Sequence, residues 1–209
     1  NEKVTNTSSA SEENCHVLLK EDTFTITTGH HLCLFTGSLY FVYKIFSVIN
    51  LCEKLKEEFP ENNYVPVYWM ASEDHDFAEV NHFNVFGKQI EWKSEQKGAV
   101  GNFSTTGLSE LQNALKEILG NAPKAENLIS LFEKAYLKHG SLADATRFLV
   151  NELFGAYGLV VVDGNSKKLK EAFTLFFEKD IFENIPHKKV NETISALKAL
   201  KYEAQVKPR

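Results

Sequence analysis

Apolar positions along the chain follow two rhythms, and their alternation predicts the architecture. Thr23 to Thr28 alternates β-forming residues and ends at Gly29, the pattern of a short strand. From Leu39 the rhythm lengthens. Val42, Phe46, Ile49 and Leu55 recur at the spacing of an amphipathic helix, which must end before Pro60. Tyr64 to Ala71 is then nearly continuous apolar sequence, suited to a strand covered on both faces in a parallel sheet. Strand, crossover helix and strand make a βαβ unit, which is right-handed almost without exception.

Gly87 to Gly101 reads as hairpin or loop, after which the helical rhythm returns. Leu108, Leu111, Leu115 and Ile118 mark one helix, and Leu128, Leu131, Phe132 and Ala135 mark a second that stops at Gly140. A third starts at Ser141, with Asp144 three residues on as a capping-box-like partner. It runs through Phe148 and Phe154, and Gly158 stands as its stop. Leu159 to Asp163 is another apolar strand, closed by an acid. Leu169, Ala172, Phe173, Phe176 and Phe177 predict one helix with a wide apolar face, and Val190, Ile194, Leu197 and Leu200 a last one. Tyr202 to Val206 is a candidate fourth strand. Residues 1–14 are Ser, Thr, Asn and Glu with little to bury, so 1–20 are expected to be a flexible segment ahead of a core spanning 21–209. The predicted fold class is α/β, with a parallel-sheet core and a helical insertion at about 87–157.

Composition narrows the function classes. With 43% hydrophobic and 24% charged residues, the 209-residue chain has the make-up of a soluble globular domain. The net charge of -5, with lysines scattered among glutamates, argues against nucleic acid as a partner. No apolar run approaches the ~20 residues of a membrane-spanning helix, so no membrane partner is expected. Three cysteines without CxxC spacing argue against a disulfide framework or a structural zinc site, and a cytoplasmic location is the expectation.

Two clusters of candidate chemistry fall at predicted strand ends, where open parallel sheets bind ligands. The first is Gly29-His30-His31, with Thr36-Gly37-Ser38 directly before the helix. A glycine-bearing loop at a helix N-terminus presents amide N–H groups suited to phosphate or carboxylate, and adjacent imidazoles add donors or positive charge. A plain tight turn explains the glycines equally well. Lys44, about one and a half turns into the helix, is placed to reach back toward an anion. The second cluster is Glu73-Asp74-His75-Asp76, with Glu79 and His82 just beyond. Such a run suits a substrate ammonium group, a ribose hydroxyl or magnesium, against a solvated acidic turn. Asp144 reads as a helix cap, Arg147 as a surface charge and Cys33 as a small buried filler.

Several long motifs occur in one order: Thr27-Thr28-Gly29-His30-His31-Leu32, Leu34-Phe35-Thr36-Gly37-Ser38-Leu39-Tyr40, Pro66-Val67-Tyr68-Trp69-Met70-Ala71 leading into Glu73-Asp74-His75-Asp76-Phe77, and Asn81-His82-Phe83. Gly98-Ala99-Val100-Gly101 and Ala143-Asp144-Ala145-Thr146-Arg147 follow. From about Glu21 onward this series resembles the bacillithiol-biosynthesis cysteine-adding enzymes, or cysteine ligases. The resemblance implies a Rossmann-like core similar to class I aminoacyl-tRNA synthetases and nucleotidyltransferases, with a connecting-peptide insertion. It implies joining the carboxyl group of cysteine to the amine of glucosaminyl-malate. Because amide formation from a free carboxylate is uphill in water, an activating cofactor is expected, most simply ATP, with or without magnesium. Phe35 and Ser38 stand where the synthetases carry signature histidines, and Ser38 and His31 where the family commonly has Pro and Gln.

On this reading Thr36 to Ser38, with His30 or His31, stabilise charge on phosphate. Asp74 and Asp76 orient an amine, and His75 accepts its proton; Gly29, Lys44, Glu73 and His82 complete the binding set. The family's chains continue into a dimerising coiled coil, so a homodimeric full-length protein and an inactive isolated chain are expected. Two other readings stay open: a non-catalytic module holding a nucleotide or anionic metabolite, and a nucleotidyltransferase with another acceptor.

Overall fold

Three parallel strands set the frame of the molecule, described over residues 7–206 in a computed structural model. Strand β1 (Thr23–His30) pairs with β2 (Asn63–Met70) along its whole length, from Thr23 opposite Asn63 to His30 opposite Met70. Strand β5 (Val160–Asp163) pairs with the last half of β2, from Val67 opposite Val160 to Met70 opposite Asp163. The order is β1-β2-β5, so the carboxyl ends of all three lie in one row, at His30, Met70 and Asp163. The central strand is the apolar run. Val65, Val67, Tyr68 and Met70 are all buried, as a strand with neighbours on both sides requires.

Helix α2 (Leu39–Glu58) is the crossover between β1 and β2, and it buries Phe41, Ile45, Val48, Ile49 and Cys52. That stripe recurs every three or four residues, and the helix ends two residues before Pro60.

Between β2 and β5 the chain inserts first α3 (Phe77–Val80) and an antiparallel hairpin, β3 (His82–Val85) and β4 (Lys88–Glu91), turning at Phe86-Gly87 with φ positive at both residues. Helices α4 (Leu108–Leu119) and α5 (Ala125–Phe132) follow. The chain then widens into a π-helical segment, Glu133–Leu137, before α6 (Leu142–Phe154). The hairpin starts before the loop predicted at Gly87 to Gly101, because His82 to Val85 pairs with sequence too short and too charged to announce a strand. Ser141 and Asp144 cap α6 reciprocally: the Ser141 hydroxyl accepts the Asp144 amide at 3.1 Å and donates to the Asp144 carboxylate at 2.7 Å. The insertion has no core of its own. Leu108, Phe132, Tyr136 and Leu149 belong to one buried cluster with Tyr68 of β2, Phe41 of α2 and Leu32 of the loop between β1 and α2.

The expectation of a flexible segment over residues 1–20 is corrected by helix α1 (Ser9–Val17); residues 1–6 lie outside the described part. Cys15 and Val17 pack against Val65, Val67 and Val160 of the sheet, and polar side chains add specific anchors. Buried Ser11 donates to the carbonyls of Leu159 at 2.7 Å and Gly155 at 3.2 Å, and Asn14 donates to that of Gly158 at 2.7 Å. These bonds tie α1 to the backbone just ahead of β5.

A second compact unit begins at Ser166, where a single core to residue 209 was expected. It holds α7 (Lys167–Ala172), α8 (Thr174–Glu183) and α9 (Ile185–Ala199). The one helix predicted across Leu169 to Phe177 is two, broken at Phe173, and neither buries a residue. The candidate strand at Tyr202 to Val206 is irregular and mostly exposed, with no paired neighbour to make it a strand.

Candidate active site

At the end of β1 the chain is pinned and then bent hard. Leu32 and Leu34 are fully buried, and Phe35, Thr36 and Gly37 take φ of 48°, 71° and 59° in succession. Two non-glycine residues in that region, one of them β-branched, are strained. The surroundings hold them there. The Phe35 amide donates to the hydroxyl of buried Tyr136 at 2.7 Å, and the Phe35 ring meets Phe83 and Phe132 edge-on, each at 5.4 Å. Gly37 has a second reason to be glycine, since a Cβ there would fall 2.6 Å from that of Cys33. The bend delivers Ser38 to the N-terminus of α2, where its side chain makes no capping hydrogen bond.

At the end of β2 the acidic run turns back toward the histidines. Asp74 accepts the amides of His75 at 2.6 Å and Asp76 at 3.2 Å, and its other oxygen meets Nδ1 of His31. Nε2 of His31 lies 3.4 Å from Glu79. One imidazole therefore sits between two carboxylates from the neighbouring strand's loop. The Tyr68 hydroxyl contacts the carbonyls of His30 and His31 at 3.2 and 3.4 Å, fixing the backbone that carries both rings.

A pocket of about 520 Å³ opens over this arrangement. Of the residues singled out in the sequence it brings together His30, His31, Gly37, Ser38, Glu79 and His82, and beside them it has Cys33, Tyr40 and Asn84. The lining does not include Gly29, Thr36, Lys44, Glu73, Asp74, His75 or Asp76; Asp74 reaches the site only through its contact with His31. The Lys44 ammonium donates to the Gly29 carbonyl and lies over the Tyr40 ring, so it braces the pocket wall from outside. Asp76 caps α3, accepting the Glu79 amide at 3.3 Å, and thereby positions Glu79. His75 is exposed. Glu73 has one carboxylate oxygen buried beside Gly164, where no Cβ would fit.

Charge follows from these surroundings. Desolvation, with help from Lys44 and His31, holds His30 below the usual imidazole range, favouring the neutral ring. Burial alone would raise Asp74, but the two amides and His31 outweigh it and hold its carboxyl below its ordinary value. Burial pushes the Cys33 thiol up to about 11, so beside His30, at 3.7 Å, it is a neutral thiol at physiological pH.

The sequence reading missed a second polar knot, one strand over. Asp163 at the end of β5 accepts the Asn165 amide at 2.9 Å, the Ser72 hydroxyl, and the Arg147 guanidinium at 3.2 Å. Arg147, expected as a surface charge, is thus an ion-pair partner. The acid closing an apolar run at Asp163 was the available signal. Tyr136 gave none, because its target, Phe35, lies 101 residues away.

A family model described as "Bacillithiol biosynthesis BshC, N-terminal Rossmann-like domain" matches residues 1–209. The chain is 51% identical over 202 residues to a protein of Flavobacterium psychrophilum named "Putative cysteine ligase BshC", covering 97% of this chain and 38% of that protein. A protein of the same name from Flavobacterium johnsoniae is 50% identical with the same coverage. One from Staphylococcus saprophyticus is 32% identical over 175 residues, 78% of this chain and 32% of its own length. The chain thus spans less than two fifths of the length of these relatives.

Proposed function

This chain belongs to the bacillithiol-biosynthesis BshC family, whose N-terminal Rossmann-like domain it matches along its whole length, and on that premise we propose that the complete gene product is a ligase joining the carboxyl group of cysteine to the amine of glucosaminyl-malate. The observation that carries the reading on the structural side is the convergence of His30, His31 and Asp74 at neighbouring ends of parallel strands: both histidines line one pocket, and Asp74 holds His31 from beside it. Open parallel sheets bind their ligands there. Three free cysteines and the absence of any sufficiently long apolar helix among the described residues fit the proposed cytoplasmic location.

Amide formation from a free carboxylate is uphill in water, and ATP, when bound, supplies the driving force by activating the carboxyl group. The pocket fits a nucleotide phosphate at one place, the N-terminus of α2. Ser38 lines the pocket there without capping the helix, and the helix dipole favours an anion. Among the described residues no three His, Cys, Asp or Glu side chains gather as metal ligands, so magnesium would enter with the nucleotide.

The chain's own residues then have distinct tasks. His31 receives the proton that the attacking amine loses as its nitrogen bonds to the carbonyl carbon and that carbon's bond to the oxygen of the activating group breaks, while Asp74 and Glu79 hold the ring and offset the charge it gains. This moves the base from His75, the first choice from sequence, to His31. Asp76 acts by positioning Glu79, and His30, kept neutral, lends a hydrogen bond without repelling the incoming ammonium form of the substrate.

The test is to incubate the complete gene product with cysteine, glucosaminyl-malate and ATP, and to look for bacillithiol by mass spectrometry. Product that depends on all three compounds supports the reading. Failure of ATP, GTP and acyl phosphates alike to join cysteine, with saturable binding of one ligand by calorimetry, would turn the assignment to a non-catalytic module.

A further inference from the structure

A second cavity, of about 720 Å³, shares no lining residue with the first pocket. Lys134, Lys138 and His139 line it, with Thr7, Asn151 and Glu152. Lys134 and Lys138 lie four residues apart, and both are exposed. Glu152 is the only carboxylate among the lining residues, while Glu133 lies 3.8 Å from the Lys138 ammonium at the edge. His139 is fixed in place. Its Nδ1 faces the carbonyls of Lys134 and Ala135 at 3.1 and 2.9 Å, so Nδ1 carries the hydrogen, and the ring packs on Phe148 at 5.0 Å. Two ammonium groups at one cavity suit a compact dianion, and His139 presents Nε2, a donor only when the ring is protonated.

The backbone beneath them gives this cavity a consequence. Lys134 lies within the π-helical segment Glu133–Leu137, and Lys138 and His139 follow it at once. Such segments are rare and recur at functional sites. The same segment carries Tyr136, fully buried, whose hydroxyl accepts the Phe35 amide at the head of the strained 35–37 loop. An anion drawing Lys134 and Lys138 together acts on the turn that aims Tyr136, and Tyr136 acts on the loop that shapes the first pocket.

We propose that this cavity binds a phosphate group, free or as a small phosphate monoester, and that its occupancy is felt at Phe35 to Gly37 through Tyr136. The proposal stands apart from the ligase reading, since neither its ligand nor its readout involves cysteine or turnover.

The experiment titrates the complete gene product with inorganic phosphate, and separately with glycerol phosphate, by calorimetry, and follows hydrogen exchange at amides 35–37. Wild type should bind saturably and exchange more slowly at those amides. The double substitution K134A/K138A, at exposed positions that leave the core intact, should weaken binding at least about tenfold. Tyr136→Phe should bind phosphate as wild type does but lose the change in exchange. The relative affinity for the two probes tells a free ion from a monoester. Absence of saturable binding, undiminished binding by K134A/K138A, or exchange at 35–37 that ignores phosphate overturns the proposal.

Discussion

The two polar knots at the strand ends differ in what they leave free. Around β5, Asp163 is largely covered and both carboxylate oxygens are engaged, by Ser72, Asn165 and Arg147. Around β1, His31 is gripped by Asp74 and Glu79, yet all three remain partly open, with side-chain exposures of 39%, 29% and 59%. The first knot has little capacity left and ties β2, β5 and α6 together. The second faces a pocket beside a strained loop and keeps part of its surface open to it. Charge at the carboxyl end of a strand is thus not by itself a sign of chemistry; the unused hydrogen-bonding capacity decides.

Substitutions should separate the two knots. The largest effect is expected from His31→Ala, which should lower turnover in the complete gene product by about 10²–10⁴-fold with little change in thermal midpoint. Gly37→Ala should act on stability, because the new Cβ must adopt a left-handed backbone and collide with Cys33. A loss of about 3 kcal/mol in urea unfolding is expected. Asp163→Ala strands the Ser72 hydroxyl and the Arg147 guanidinium, with an expected cost of about 2 kcal/mol and turnover per folded molecule nearly preserved. If that variant is stable but inactive, the division between scaffold and chemistry is wrong. Tyr136→Phe leaves the Phe35 amide without its acceptor, at about 1 kcal/mol.

The smallest effect is with pH. The folded-state pKa of His30 lies below its unfolded value, so the unfolded chain binds the extra proton first. Its contribution is complete above the ordinary imidazole value and declines as pH falls through it. Asp74, also depressed, contributes above the ordinary carboxylate value and is lost at lower pH. Both losses occur on acidification, in separate windows. His30→Asn should flatten the upper window only, as read from unfolding midpoints between pH 5 and 7.5.

How much of this could be read from the chain depended on the range of the interaction. The strands β1, β2 and β5, the crossover α2 and the Ser141 cap announce themselves through local periodicity and capping, and the structure has them in the predicted places. The meeting of His30, His31 and Asp74 followed from parallel topology alone, since strand ends in one row bring their loops together. Helix α1 was missed because its polar anchors, Ser11 and Asn14, reach carbonyls more than 140 residues away, and Cys15 and Val17 make no apolar stripe to see. Tyr136 and Arg147 were missed likewise, their partners fixed only by the folded chain. The opposite error occurred at Phe173, Phe176 and Phe177. Helical spacing there was real, but 48–65% of each residue is exposed, so an apolar face does not prove a buried one.

The claim on which the account turns is that His31 and Asp74 work as one unit in proton transfer. A double-mutant cycle on kcat/KM of the complete gene product, with His31→Ala, Asp74→Asn and both together, measures this directly. The account predicts that the double variant is hardly worse than His31→Ala alone, because each substitution already disables the unit. Losses that multiply, or an H31A enzyme as fast as wild type, would contradict it.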